Sequence, residues 1–316
     1  MKNLKLAAAL AALALTAPAA AQVPPDIAEK TRALGAMMDP AIGYSPWVGR
    51  FDPSYWNGMT VTRGIAYGSD SAQVLDVYLP DGAAEDDARR PVLLFVHGGG
   101  FRGGRREGMP YPDNIPGWAV HEGMIGVSID YRLAPLSSWP AGSEDLKSAL
   151  AWVREHIAGY GGDPDRIVLF GHSAGANHVA DYVGHNEFHG SELAGVKGAV
   201  LLSPFYAPQA DPAQPHVYYG ADEALQTAVP QVERLRMSHV PLFIGVAQYD
   251  IEPMRTFGLN ARDWLCEQPE RCPEFIDLPD HNHFTEGLSL GSEDKTLATA
   301  LVAWLKLNGI ISPRPQ

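Results

Sequence analysis

The chain has 316 residues, 46% of them hydrophobic, and a formal charge of −13. That is enough apolar material for a large buried core, while the acidic surface repels phosphate backbones and anionic headgroups and argues against nucleic acid and anionic membranes as partners. A neutral or cationic small molecule suits this charge better.

The amino terminus carries Lys2 and Lys5, an apolar run from Leu6 to Leu15, and Ala19-Ala20-Ala21 before Gln22. This is the layout of an export signal with a small-residue cleavage site. The run is too short to span a bilayer core of about 30 Å, which needs roughly 20 apolar residues. The expectation is a signal peptide over residues 1–21 and a secreted or periplasmic mature chain without a membrane span, at charge −15 once Lys2 and Lys5 are removed. No cysteine follows the cleavage point to accept a lipid.

Residues 22–60 are rich in proline and aromatic side chains and offer one plausible helix, from Ile27 to Met38. They read as a small N-terminal cap or flap over a catalytic domain spanning 61–316. In that domain strand-like segments run Val74 to Leu79, Val92 to His97, Met124 to Asp130, Ile167 to Phe170, Val196 to Leu202, Leu242 to Ala247 and Glu274 to Leu278. Amphipathic helices are expected at Ser143 to Ile157, Ala174 to Val183, Pro253 to Leu265 and Lys295 to Leu307. Several strands are near-continuously apolar, as burial on both faces requires. Their alternation with helices predicts an α/β fold with a mostly parallel central sheet flanked by helices.

Gly171-His172-Ser173-Ala174-Gly175 fits Gly-x-Ser-x-Gly between a strand and a helix. On so tight a turn the residues two before and two after the serine must be small, so Ser173 is the candidate nucleophile. His97-Gly98-Gly99-Gly100 ends an earlier strand, where glycines let the main chain approach a substrate closely. The N–H groups of Gly98, Gly99 and Ala174 are the candidate oxyanion hole, with Gly99 and Gly100 an equivalent choice for the loop pair. His97 reads as a structural hydrogen-bonder, and the loop lacks the Gly-Lys-Ser/Thr ending of a phosphate loop.

The order nucleophile, acid, base points past the Leu242 to Ala247 strand to Asp250, with Glu252 as alternative, and then to His281 or His283 in Asp280-His281-Asn282-His283-Phe284. Asp130 and Arg132 read as a structural charge pair, and Glu144 and Asp145 as helix-capping groups. Cys266 and Cys272, the only cysteines, fit a local disulfide. They lack the extra ligands of a metal site, and neither metal nor cofactor is expected.

These residues resemble the hormone-sensitive-lipase-like carboxylesterases, and nearly as closely the feruloyl esterase-like and arylformamidase-like group, both of the α/β-hydrolase superfamily. The likeness runs from about Gly68 to the last helix. It rests on Leu75-Asp76-Val77-Tyr78-Leu79-Pro80, His97 to Phe101, Asp130 to Pro135, Pro140-Ala141 with Glu144-Asp145, and Gly161 to Arg166 leading into the turn at Ser173. The resemblance implies the α/β-hydrolase fold, a Ser173-His283-Asp250 triad and hydrolysis of small esters. His283 is preferred over His281 because related hydrolases put an aromatic or small residue directly after the base. His172 and Ala176 depart from the lipase-like pattern and lean toward the second group, which brings in an arylformamidase-like amidase as the alternative. A non-catalytic binding protein on the same scaffold is the third reading, disfavoured because every catalytic position is filled. Phe101, Phe205, Tyr206, Tyr218 and Tyr219 are candidates for the substrate pocket, with packing of the cap as the competing role. The short segment around them suits soluble short-chain esters better than emulsified fats. Oligomeric state has no signature here.

Overall fold

A computed structural model describes residues 23–85, 88–189, 193, 195–204, 216–220, 228–252 and 254–312. The signal-peptide expectation, Phe205 and Tyr206 lie outside them.

In chain order the main elements are α1 Pro25–Leu34, β1 Met59–Ala66, β2 Val74–Pro80, β3 Arg90–Val96, α2 Asn114–His121, β4 Ile125–Ile129, α3 Ala141–His156, β5 Gly162–His172, α4 Ala174–Gly184, β6 Val196–Leu202, α5 Ala228–Met237, β7 Leu242–Tyr249, α6 Met254–Cys266, β8 Glu274–Asn282 and α7 Thr296–Leu307. The strands form one eight-stranded sheet in the order β1-β2-β4-β3-β5-β6-β7-β8. Only β2 is reversed. It pairs antiparallel with β1 and β4, and every pairing from β4 to β8 is parallel.

Because successive strand residues face opposite ways, one apolar strand feeds two cores. From β3, Val92, Leu94 and Val96 join Val127, Leu169, Leu201 and Ile244 under Leu146 and Leu150 of α3, Val179 of α4 and Ala261 of α6. The intervening Leu93 and Phe95 join Val168, Phe170, Val200 and Phe243 on the other face, under Trp118 of α2 and Leu301 and Trp304 of α7. Each fully buried side chain of this size contributes about 1.5–3 kcal/mol, so the sheet carries most of the stabilisation.

Three elements were not anticipated. In β1 the alternation breaks where Arg63-Gly64 interrupts the strand and its register shifts between Thr62 and Ile65. In α2 the Pro116-Gly117 dipeptide argues against a helix, yet seven of its eight residues are buried beneath the sheet; packing outweighs propensity there. In α5 Pro230 stands third in the helix, in the first turn, where proline is tolerated. Among the anticipated elements, α1 stops four residues short of Met38, at Gly35 with φ 63°.

The N-terminal segment packs Val23, Ile27, Ala28 and Trp47 against Leu288. Cys266, at the end of α6, is paired with Cys272 ahead of β8. Among the described residues no helix is long and apolar enough to cross a membrane.

Candidate active site

Parallel strands β3, β5, β6, β7 and β8 are neighbours whose carboxyl ends share one edge of the sheet, the usual place for ligand chemistry in such sheets. The loops leaving that edge carry Gly98, Ser173, Ser203, Asp250 and His283, residues up to 185 positions apart in the chain.

Ser173 sits between β5 and α4 with φ 55° and ψ −125°, a strained conformation for a residue with a side chain. The turn is tight on both sides. A Cβ on Gly171 would come within 2.5 Å of the Ala176 Cα and the Gly175 carbonyl oxygen, and one on Gly175 within 2.1 Å of the Val96 carbonyl oxygen. The glycines at these two positions thus let α4 start directly against the end of β3.

Ser173 Oγ lies 2.9 Å from His283 Nε2, and His283 Nδ1 lies 2.9 Å from Asp250 Oδ1. Asp250 Oδ1 also accepts from the Ile251 N–H at 3.0 Å, while Oδ2 accepts from the Ser203 hydroxyl. All three side chains are buried, with Ser173 only 5% exposed. Burial pushes the Asp250 carboxyl up, but the His283 imidazole and the hydrogen bonds from Ser203 and Ile251 outweigh it and hold the carboxyl below the usual carboxylate range. A hydroxyl, an imidazole and an ionised carboxylate in this order can move a proton off Ser173 and stabilise the imidazolium that results.

His281 faces elsewhere. Its Nε2 lies 2.9 Å from Asp294 Oδ2 and its Nδ1 3.1 Å from Thr285 Oγ1, with Trp47 stacked on the ring. Glu252 accepts from Thr256 Oγ1 at 2.6 Å on the exposed surface, while the two His283 nitrogens are engaged by Asp250 and Ser173.

Gly98 comes so close to the serine that a Cβ there would lie 2.9 Å from the Ser173 Cβ. The N–H groups of Gly98 and Gly99 have no acceptor among the described residues, and Ala174, first residue of α4, presents its N–H outside the helical ladder. The loop is held from behind. Tyr131 donates to the His97 carbonyl oxygen at 2.8 Å and stacks on its ring, and His97 Nδ1 lies 2.6 Å from the Gly98 carbonyl oxygen.

Two pairings differ from expectation. Asp130 does not pair with Arg132 but with Arg106, whose Nε also reaches the buried Asp76 at 2.8 Å. Arg132 turns instead to Asp145, with Nε to Oδ1 at 2.8 Å and N–H to Oδ2 at 2.7 Å. Asp145 is therefore a buried clamp that also accepts from Gln73 at 2.7 Å, and no side chain caps α3. The physical reason is burial: a fully desolvated carboxylate needs more partners than a helix terminus provides.

Phe101, Tyr218 and Tyr219 are each no more than 3% exposed and form one cluster with Ala134 and Ala174. Phe101 stacks on Tyr218 at 4.9 Å, and the Tyr219 hydroxyl donates to Asp181 Oδ2 at 3.0 Å. They pack beside the turn that holds Ser173.

Ser203, Glu286 and Tyr111 were not singled out in the sequence, and His172 only as a departure from a family pattern. His172 Nε2 lies 2.8 Å from the His283 carbonyl oxygen and its Nδ1 2.9 Å from the Tyr111 hydroxyl. Burial pushes this imidazole below its ordinary value, so it is neutral, with Tyr111 as donor to Nδ1. His172, His283 and Glu286 lie close enough to be counted together as metal ligands. The nitrogens of both rings are already in hydrogen bonds, however, which leaves that set unfit for an ion. A cleft of about 460 Å³ lined by Pro241, Leu242, Arg271 and Trp304 opens at the amino ends of the strands, on the edge opposite Ser173.

A family model, BD-FAE, matches residues 75–193. Esterase LipQ of Mycobacterium tuberculosis is 37% identical over 171 residues, which cover 54% of this chain and 34% of LipQ. Probable carboxylesterase 13 of Arabidopsis thaliana is 31% identical over 167 residues, 48% of this chain and 50% of that protein. The chain thus spans between a third and a half of the length of these curated relatives. A solved structure described as a bacterial heroin esterase superposes with a TM-score of 0.65 at 20% identity, covering 92% of this chain and 99% of that one.

Proposed function

Since the chain has the α/β-hydrolase fold, we propose that it is a serine carboxylesterase acting on short-chain or aryl esters through an acyl-enzyme. The observation that carries the reading is the unbroken chain of two 2.9 Å contacts from Ser173 Oγ through His283 to Asp250. Ser173 Oγ attacks the ester carbonyl as His283 Nε2 takes its proton. The oxyanion is met by the N–H groups of Gly98, Gly99 and Ala174, each such donor being worth about 3–4 kcal/mol of barrier. His283 then returns the proton to the departing alcohol, and a water activated by the same imidazole releases the acid.

The esterase names of the relatives support an ester substrate, and the acidic charge supports a small neutral or cationic one. The leader at residues 1–21 and the pair Cys266 and Cys272 support export of the chain and a disulfide in the exported form.

Intact-mass measurement after a fluorophosphonate probe tests the assignment. The exported protein is expected to begin at Gln22, to be two hydrogens lighter than its dithiol form, and to gain one probe adduct that Ser173→Ala abolishes. Labelling that survives Ser173→Ala overturns the nucleophile. Turnover of N-formylkynurenine faster than p-nitrophenyl acetate would replace the esterase with the arylformamidase-like amidase.

A further inference from the structure

Behind the triad, the single helical turn Thr285–Leu288 carries a second carboxyl, Glu286, with no exposed surface. Neither of its oxygens has a hydrogen-bond partner among the described residues. Its Oε1 is 3.4 Å from His172 Nε2, but that nitrogen's one hydrogen goes to the His283 carbonyl oxygen at 2.8 Å. Among the described residues no Lys or Arg pairs with it. The titratable groups facing it are Asp250, His283, His172 and Tyr111. The Ser203 hydroxyl, at the end of β6, is close enough to act on its ionisation. An ionised Glu286 would stand desolvated beside the Asp250 carboxylate with no Lys or Arg to neutralise it among the described residues.

As a carboxylic acid the same group gains a donor, and the hydroxyl that bears on its ionisation is that of Ser203. Ser203 is held with φ 43°, an uncommon conformation for a serine, and its own hydrogen goes to Asp250 Oδ2. We propose that Glu286 is a positioning residue for the catalytic acid: an uncharged carboxylic acid donating to Ser203, which in turn donates to Asp250 Oδ2 and leaves Oδ1 for His283 Nδ1. This rests on the triad reading above.

A hydroxyl whose oxygen accepts a hydrogen bond is a stronger donor through its hydrogen, so the chain fixes the plane of the Asp250 carboxylate more firmly than Ser203 alone. Burial, and after it the charge of Asp250, push the Glu286 carboxyl well above its ordinary value, in line with the uncharged form. His172 completes the cage by holding the main chain of His283 from the other side.

The infrared difference between wild type and Glu286→Gln at pH 7 is expected to contain the carbonyl stretch of a protonated carboxyl that shifts in deuterated water. A carboxylate band in its place overturns the proposal. Glu286→Ala is expected to lower kcat about tenfold at similar KM, with Glu286→Gln, which keeps a donor, recovering most of the loss. A Gln variant no better than Ala overturns it as well. Ser203→Ala, which tests the chain even if Glu286 variants do not fold, should lower kcat and move the acidic limb of kcat/KM to higher pH. With one donor gone, Asp250 binds the imidazolium more tightly; an unchanged limb and kcat refute the chain. The infrared band is read without turnover, and failure of the triad reading shows separately as labelling that survives Ser173→Ala.

Discussion

Two histidines two residues apart share the segment Asp280 to His283, and their surroundings set different consequences for losing each. His283 joins Ser173 to Asp250, so His283→Ala should lower kcat by about 10⁴-fold or more in protein that still folds, with Asp250 keeping its Ser203 and Ile251 donors. His281 is fully buried against Asp294, and His281→Ala leaves Asp294 Oδ2 without its partner in the core, Thr296 remaining at Oδ1. Breaking such a pair from one side costs about 3–5 kcal/mol, so His281→Ala should lower Tm strongly and kcat of the folded protein far less. Steady-state kinetics and thermal melts on both variants check this, and an exchange of the two outcomes would exchange the roles.

At this scale the sequence exposes residues whose requirements are local. Ser173 is legible because strand, tight turn and helix lie within a dozen positions. Ser203, Glu286 and His172 are not, because their contacts cross from one strand end to another: Ser203 meets Asp250 47 positions away, and His172 meets His283 at 111. No spacing rule reports such a meeting before the strand order is known.

Between elements, the decisive contact is where α4 leaves β5 and lies on the end of β3. Gly175→Ala puts a methyl 2.1 Å from the Val96 carbonyl oxygen, a backbone atom that cannot swing aside. Overpacking of this kind costs about 1–3 kcal/mol or more, and here the relief must come from moving α4, which carries the Ala174 N–H. Gly175→Ala is therefore expected to lose both stability and kcat, seen as a lower denaturant midpoint and slower turnover by the fraction that stays folded. Normal turnover from a stable Gly175→Ala protein would contradict the close approach. The parallel strands were legible as continuous apolar runs because both faces are covered. The edge strand β1 was not, since half-exposed residues and a register shift dilute its period, and α2 hides behind Pro116-Gly117 until its burial is known.

For the whole molecule, buried ionisable groups set opposing slopes of stability against pH. His178 is buried with its pKa pushed down to about 3 by desolvation. The unfolded chain binds that proton more readily, so stability falls as pH drops from about 6.5 toward 3. Asp181 is the counterpart: burial raises its carboxyl to about 7 against hydrogen bonding from Tyr219 and the charge of Arg234. Here the folded state holds the proton more tightly, so the contribution is complete below the unfolded value near 3.9 and is lost as pH rises toward 7. The two slopes cover much the same window with opposite sign and partly cancel. Asp181→Asn keeps an oxygen to accept from the Tyr219 hydroxyl but cannot ionise, so it removes one slope and leaves the other. The variant is expected to melt near wild type at pH 4 and progressively above it up to pH 7, by on the order of 3 kcal/mol at neutrality, with the gap constant beyond. Thermal melts of both proteins between pH 4 and 8 measure it, and a gap independent of pH would mean that Asp181 is already ionised in the folded core.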